Sequence, residues 1–212
     1  MVQRRLQQID CVFKNTNAFA GETRVDGGLG IDTCIYDVSL ASSQVVRNSD
    51  GSFKVVVQNK AATPSLNVST DTLTNVERLQ FTNTSVAIDL NGNAGTVVKI
   101  LGAVFGKQTV ANKNYVGIGL HFLDSGWSYD NLAGLALDAA GAKTNDQIVN
   151  LLWTNVIGTK PTAADKQPFI ALLDNGMSAG ALAHLAADTS FNTTNINLVG
   201  LAQTGIEYIP VS

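Results

Sequence analysis

The spacing of the apolar residues changes near residues 91–95, and this change constrains the fold more than any other feature of the chain. Before it, apolar residues form short β-branched runs separated by turn residues, an arrangement typical of strands. After it, they recur at intervals of three and four residues, which places them on one face of a helix. We therefore expect an α+β protein with a β domain over residues 1–92 and an all-α domain over residues 93–212.

Two local patterns predict strands in the first half. The Asp50-Gly51 pair is a hairpin-turn signal, because both residues tolerate a positive φ, and the β-branched run Phe53–Val57 follows it. Between residues 86 and 90, Val, Ile and Leu alternate with Ala87 and Asp89. This period of two predicts a half-buried strand.

The second half contains helix candidates, two of which begin with capping-box signals. Thr144 precedes Gln147 by three residues and Thr162 precedes Asp165 by three, so each hydroxyl can accept a free N–H of the first helical turn. The expected helices lie near residues 94–106, 112–124, 128–139, 145–157, 163–174, 179–188 and 195–203.

The helical half also repeats itself. Leu123–Ser128 matches Leu173–Ser178 at an offset of 50 residues, and Val104–Lys107 matches Val156–Thr159 at an offset of 52. A matched period of this length is the signature of a duplicated helical unit. We therefore expect the all-α domain to consist of two related helical repeats with a C-terminal tail.

The composition points to an exported protein without a nucleic-acid partner. Only 15% of residues are charged, and Asn, Thr and Gly occur 19 times each, so polarity comes mainly from short side chains. The net charge of −3 excludes a polybasic surface. No apolar run reaches the length of about 18 residues that a transmembrane helix needs, and the N-terminus lacks the apolar core of a signal peptide.

The two cysteines, Cys11 and Cys34, both lie in short apolar runs typical of strands. Two interpretations stay open. The thiols are either buried small hydrophobes or the two halves of one disulfide, which would stabilise the chain by roughly 3 kcal/mol in the chain-entropy model.

The motif with the clearest mechanism is Gly27–Ile35, which fits the nonapeptide G-G-x-G-x-D-x-U-x of calcium-binding parallel β-rolls at every defined position. The glycines permit a tight turn with carbonyls directed at an ion, and the Asp supplies a carboxylate. Ca²⁺ takes about six to eight oxygens, so a neighbouring turn is also needed, and Asn15–Gly21 is a degraded candidate. The turn is therefore either a calcium site or a vestigial roll turn that retains only its geometry. The candidate ligands are Gly27, Gly28, Gly30 and Asp32, together with Asp26.

Three segments in order, Gly30–Tyr36, Val45–Ser52 and Asp71–Phe81, resemble the part that closes the repeats-in-toxin (RTX) region of type I-secreted bacterial proteins. The stretch from Ala94 to about Gly205 resembles a helical domain of unknown function that follows such segments in secreted and surface-layer proteins. The resemblance implies an N-terminal β-roll whose last strand pair lies in Asp71–Phe81. The chain has a single nonapeptide, so a large calcium-driven folding transition is not expected.

The resemblance also implies an export route. Such proteins pass through a type I exporter with an uncleaved C-terminal signal, and the tail Gly205–Ser212 is compatible with one. It places the protein outside the cell or on the cell surface.

No catalytic motif occurs in the sequence. The chain contains no H-E-x-x-H, G-x-S-x-G or P-loop pattern. We interpret His121 and His184 as structural or surface residues, and Trp127 and Tyr129 as packing residues rather than a sugar-binding surface. The acid pairs Asp124/Asp174 and Asp130/Asp138 lie in repeated or capping positions, so we assign them to helix ends. An enzyme is therefore not expected.

Two functions remain in competition. The first is a non-catalytic surface-layer, matrix, filament or adhesion protein, calcium-stabilised and self-associating into an oligomer or polymer, that can also bind cell-surface polysaccharide. The second is the C-terminal export and calcium-binding module of a larger secreted enzyme or toxin.

Overall fold

A computed structural model describes residues 12–15, 21–58 and 68–211 of the chain. They form two compact units. One comprises the described residues up to Asp89 together with Ala202–Glu207, and the other comprises Leu90–Leu201 and the described part of the tail from Tyr208 onward. The fold is α+β, with strands preceding helices as the sequence predicts.

The β unit contains two sheets. The first has the strand order β1-β3-β7-β8-β9, and the second has the order β2-β6-β5-β4. A short 3-10 helix, Leu40–Ser42, precedes β4. The strands are β1 Val12–Asn15, β2 Gly21–Asp26, β3 Thr33–Tyr36, β4 Ser43–Arg47, β5 Phe53–Gln58, β6 Val68–Thr74, β7 Arg78–Gln80, β8 Ser85–Ala87 and β9 Ile206–Tyr208.

The chain moves from one sheet to the other and back, so that it forms a coil whose successive turns pair through parallel strands. Strands β1, β3 and β7 pair in parallel in the first sheet, and β2 and β6 pair in parallel in the second. The other strand pairs are antiparallel. Strand β8 pairs with β7, and β5 pairs with both β4 and β6.

The predicted hairpin is present, whereas two other strand predictions need correction. Strands β4 and β5 pair around the Asp50-Gly51 turn, where Gly51 has a φ of 90°. The segment 86–90 is not a half-buried strand, because β8 covers only Ser85–Ala87 and Ala87 is 0% exposed. The strands of Asp71–Phe81, β6 and β7, do not pair with each other, since they belong to different sheets.

The core of the β unit is built from alternating side chains of β3, β5 and β6 and from β7. Val55 and Leu79 are completely buried, and Tyr36 stacks on Phe81 with ring centroids 5.2 Å apart. Cys34 is buried in the same cluster, while Cys11 lies outside the described residues. The interpretation of the two cysteines thus remains a prediction.

The helical unit begins at the predicted change of period. A 3-10 helix, Lys107–Ala111, follows the first helix. Among the described residues, no helix combines the length and apolarity required to cross a bilayer. The helices are α1 Asn93–Phe105, α2 Lys113–Asp124, α3 Tyr129–Ala139, α4 Asn145–Ile157, α5 Ala163–Asp174, α6 Ala179–Ala187, α7 Ser190–Asn195 and α8 Leu198–Thr204.

Helix starts follow the sequence signals closely. Both capping boxes form, with Thr144 and Gln147 bonded reciprocally at α4 and Thr162 and Asp165 at α5. The predicted helix 195–203 is wrong at its start, because α8 begins only at Leu198, and α7, which ends at Asn195, was not among the expected helices. Asn197 between them has a φ of 53°, a left-handed conformation that interrupts a helix.

The two helical repeats share their hydrogen bonds as well as their sequence. The Nδ2 atom of Asn93 donates to Oδ1 of Asp124 at 2.8 Å, and Asn145 donates equivalently to Asp174 at 2.7 Å. Each bond ties the start of the first helix of a repeat to the end of its second helix. The two aspartates of this predicted pair therefore lie at helix ends.

The third helices of the two repeats, α3 and α6, cross at small residues. A Cβ atom at Gly180 would lie 2.0 Å from the carbonyl oxygen of Asp130, so only glycine permits this approach. Gly134 faces Gly180, with 3.9 Å between its hypothetical Cβ and the Cα of Gly180. This crossing brings the duplicated halves into contact.

Candidate functional site

The nonapeptide forms the turn between β2 and β3. Gly28 and Gly30 have φ values of 88° and 127°, in the region that favours glycine. Leu29 between them is 77% exposed, whereas Asp32 is 1% exposed. The five predicted ligands thus lie on one turn, with Asp26 and Asp32 at its two ends.

A second turn, residues 75–77, lies beside the nonapeptide turn. It joins β6 to β7, and these strands are the parallel neighbours of β2 and β3. The N–H of Gly27 donates to the carbonyl of Thr74 at 3.0 Å, and a Cβ at Gly27 would lie 2.0 Å from the carbonyl oxygen of Asn75. The proposed partner turn, Asn15–Gly21, falls mostly outside the described residues.

Hydrogen bonds of both side chains and backbone link the ends of the two turns. Oδ1 of Asp26 accepts from the N–H of Gly28 at 3.1 Å and from Nδ2 of Asn75 at 2.8 Å. The N–H of Asp32 donates to Oε2 of Glu77 at 2.8 Å. The carbonyl of Asp32 accepts from the N–H groups of Glu77 and Arg78, at 3.2 and 3.0 Å. Glu77 is therefore a member of this site that the sequence analysis did not identify.

Negative charge accumulates around Glu77. Burial raises the pKa of the Glu77 carboxyl, and the charges of Asp89 and Asp32 act in the same direction. Arg78, which is 3% exposed, pairs with Asp89 at 2.5 Å. A cation placed next to such a carboxyl would favour its ionised form.

The donor chemistry fits a hard cation only in part. The two turns contribute carboxylates from Asp26, Asp32 and Glu77, and carboxylate oxygens are the ligands Ca²⁺ prefers. Within the part of the chain that the structure describes, however, no three His, Cys, Asp or Glu side chains converge as metal ligands. The described carboxylates therefore lie on neighbouring turns without forming such a group.

A second polar cluster, absent from the sequence predictions, lies where α3 and α6 meet. The Nδ1 atom of His184 is 2.7 Å from Oδ1 of Asp130, and its Nε2 atom is 3.2 Å from Oδ2 of Asp188. The imidazole stacks on Tyr129 with ring centroids 3.7 Å apart. An imidazole with a proton on each nitrogen donates to both carboxylates at once.

Lys99 completes this cluster from α1. Its ammonium lies 2.6 Å from Asp188 and 5.3 Å from the centroid of the Tyr129 ring. Although burial opposes it, the hydrogen bond and charge of Lys99 lower the pKa of Asp188. Burial and the charge of Asp188 raise the pKa of the Tyr129 hydroxyl, which donates to Asp188 at 3.1 Å.

The cluster of Lys99, Tyr129, Asp130, His184 and Asp188 joins the two repeats. The offset between the repeats is a sequence feature that could have pointed to this cluster. A shift of 50 residues aligns Asp130 with Gly180 and Gly134 with His184. When two equivalent helices pack with pseudo-twofold symmetry, each contact between them has a counterpart between the equivalent residues. The counterpart of the Asp130–His184 contact is the contact between Gly180 and Gly134, and both are present.

The aromatic residues singled out in the sequence pack against neighbours. Trp127 lies 4.4 Å from Phe122 between ring centroids, although its side chain is 41% exposed. His121 is also next to Phe122, at 5.8 Å. Tyr129 is part of the cluster described above.

Comparisons with known proteins add no family to this picture. No family model, curated protein or solved structure matches the chain.

Proposed function

We propose that this protein is a non-catalytic structural or adhesion component of the cell surface or extracellular matrix, exported by a type I system and stabilised by Ca²⁺. The observation that supports it most is the pair of adjacent turns, 26–32 and 75–77, between strands of a parallel coil. Two stacked turns with carboxylates at their ends are the arrangement that a calcium-binding β-roll requires.

Self-association is part of the proposal. The described strands β1 and β2 each pair on one side, with β3 and β6 respectively. Strand edges of this kind offer backbone N–H and C=O groups to another chain. Assembly into an oligomer or polymer, with or without cell-surface polysaccharide, would use such edges.

Calcium titration tests the metal part of the proposal. After chelation, addition of millimolar Ca²⁺ should raise the melting temperature of the wild-type protein, while Mg²⁺ should not. Asp26→Asn should lose this shift, and it should fold because Asp26 is exposed. Asp50→Asn is the matched control, since Asp50 lies in a different Asp-Gly turn. Absence of both heat and thermal shift in the wild type would remove calcium from the proposal.

Light scattering and electron microscopy, each with and without Ca²⁺, test assembly. We expect particles larger than the monomer or extended polymers. A protein that stays monomeric in both conditions and does not bind envelope polysaccharide would contradict the structural role.

The alternative function is an export and calcium-binding module of a larger secreted enzyme or toxin. The positions of the parallel and antiparallel strands support it. The edges β1 and β2 would accept further parallel coils, whereas antiparallel strands follow β7 in the first sheet and β6 in the second. A fusion of this chain to an inert reporter should then reach the medium in cells with a type I exporter. Deletion of the last ~50 residues should abolish this export, as the resemblance to exported proteins with C-terminal signals implies.

A further inference from the structure

The helical unit contains two Asn-Gly pairs, Asn91-Gly92 before α1 and Asn175-Gly176 after α5. In such a pair the backbone nitrogen of the glycine can attack the side-chain amide carbon of the asparagine, because glycine has no Cβ to obstruct the approach. The attack is intramolecular, so its rate depends on the local geometry and on the freedom of the attacking nitrogen. The hydrogen bonds of each glycine N–H therefore distinguish reactive pairs from unreactive ones.

The two pairs differ in the hydrogen bonding of the glycine. The N–H of Gly176 donates to the carbonyl of Leu173 at 3.0 Å. Neither the N–H of Gly92 nor the side chain of Asn91 has a hydrogen-bond partner among the described residues. Both pairs are exposed, so access of solvent does not distinguish them. A hydrogen-bonded N–H must open before it reacts, and only the pair at residue 91 is spared this step.

The two Asp-Gly pairs of the chain, which can form the same cyclic product, are also restrained. The N–H of Gly27 donates to the carbonyl of Thr74 at 3.0 Å, and the N–H of Gly51 donates to the carbonyl of Asn48 at 3.1 Å. Of these four pairs, Asn91-Gly92 is therefore the one whose attacking nitrogen is unrestrained in the part of the chain that the structure describes.

We propose that Asn91 is a site of spontaneous deamidation, at which the protein acquires a negative charge directly ahead of α1 without the action of an enzyme.

The reaction needs water as its only co-reactant. The backbone nitrogen of Gly92 loses its proton and forms a bond to Cγ of Asn91, the bond between Cγ and Nδ2 breaks, and ammonia leaves with that proton. The product is a cyclic succinimide. Addition of water at Cγ then gives aspartate, and addition of water at the backbone carbonyl of residue 91 gives isoaspartate, in which the chain continues through Cβ and Cγ.

The two products have different consequences for α1. Its first turn contains no acidic residue, and Gly92 provides no side-chain cap. An aspartate at position 91 would add a negative charge near the partly positive start of the helix, which is stabilising. Isoaspartate instead adds a methylene to the backbone directly after Leu90, whose carbonyl oxygen lies 2.0 Å from a hypothetical Cβ at Gly95. We therefore expect the isoaspartate form to loosen this turn.

Ageing of the folded chain at mildly alkaline pH tests the proposal. Mass spectrometry of peptides follows the replacement of amide by carboxyl at both asparagines, and labelling by an isoaspartyl methyltransferase detects isoaspartate. We expect Asn91 to react at least about tenfold faster than Asn175 in the folded protein, because the Gly176 N–H is held by a hydrogen bond. In urea the two rates should agree to within about threefold, since unfolding releases both nitrogens.

Matched variants locate the charge change. Asn91→Gln should prevent the appearance of the acidic form in ion-exchange chromatography, because glutamine would have to form a larger ring. Asn175→Gln, the control in the other pair, should leave the acidic form and its rate unchanged. Both asparagines are exposed, so both variants should fold.

Three results would overturn the proposal. They are equal or faster reaction at Asn175 in the folded protein, an acidic form that persists unchanged in Asn91→Gln, and an intact Asn91 in folded protein after a period in which the urea-unfolded chain has reacted completely. None of these measurements depends on Ca²⁺ or on assembly, so this inference and the proposed function fail separately.

Discussion

The Nδ1 atom of His184 lies 2.7 Å from Oδ1 of Asp130, and this hydrogen bond joins the third helix of one repeat to the third helix of the other. Both side chains are partly exposed, at 37% and 46%. Their contact is accompanied by the close approach of Gly180 to the backbone of Asp130. The polar pair and the glycine contact thus both lie at the crossing of these two helices.

A double-mutant cycle on Asp130 and His184 should show coupling. Asp130→Asn, His184→Gln and the double variant should give a coupling free energy of about 0.5–1 kcal/mol, at the upper end for exposed pairs. Both tryptophans lie in the helical unit, so urea unfolding followed by tryptophan fluorescence reports the relevant transition. The pair Asp138–Lys143, whose side chains are 67% and 63% exposed, is the control and should couple more weakly. Equal coupling in the two pairs would contradict the role of His184.

The helix crossing should distinguish two glycines. Gly180→Ala should destabilise the helical unit by about 2 kcal/mol or more, because the added methyl group meets the Asp130 carbonyl. Gly134→Ala meets only an ordinary contact and should be neutral or stabilise by up to about 1 kcal/mol through helix propensity. Urea unfolding of both variants measures the difference, and a reversed order would disprove the crossing geometry.

The nonapeptide turn should distinguish steric from conformational demands on glycine. Gly27→Ala places a methyl group on the Asn75 carbonyl and should cost about 2–3 kcal/mol. Gly28→Ala meets no atom within 4 Å but must adopt a φ of 88°, which costs roughly 1–2 kcal/mol. Far-UV circular dichroism of unfolding should rank Gly27→Ala as the more damaging change. A Gly27→Ala protein as stable as wild type would show that the two turns are not in contact.

The lowered pKa of Asp188 predicts a pH dependence. Because this pKa is below the value of 3.8 for an unperturbed carboxyl, ionised Asp188 stabilises the folded state above that pH, and the stabilisation is lost as the pH falls through the lowered pKa. Asp188→Asn should therefore be less stable than wild type at pH 7. The difference should shrink when urea unfolding is repeated below pH ~3.8. A difference that stays constant with pH would contradict the ion pair with Lys99.

Local sequence signals predicted most of the secondary structure. The capping boxes at Thr144 and Thr162 and the Asp50-Gly51 turn each depend on residues within a few positions of one another. One exception is the predicted helix 195–203, which includes the left-handed residue Asn197 and in the structure begins only at Leu198. A single left-handed residue, which apolar spacing does not reveal, separates α7 from α8.

The candidate site was predictable only in part, because only some of its features depend on residues close together in the sequence. The nonapeptide pattern identified Gly28 and Gly30, because their backbone conformation is a local property that glycine satisfies. Glu77 was not identified, since its place beside Asp32 depends on the parallel pairing of β3 with β7 across a long stretch of chain.

The sequence by itself determined where the chain changes from strands to helices, where most helices begin, which turn residues must be glycine, and that the helical half is duplicated. Each of these follows from short-range sterics, hydrogen bonding and hydrophobic period. Only the tertiary structure decided that residues 75–77 lie beside the nonapeptide turn and that His184 meets Asp130. Those relationships depend on strand register and helix crossing, which are set by the packing of segments far apart in the chain.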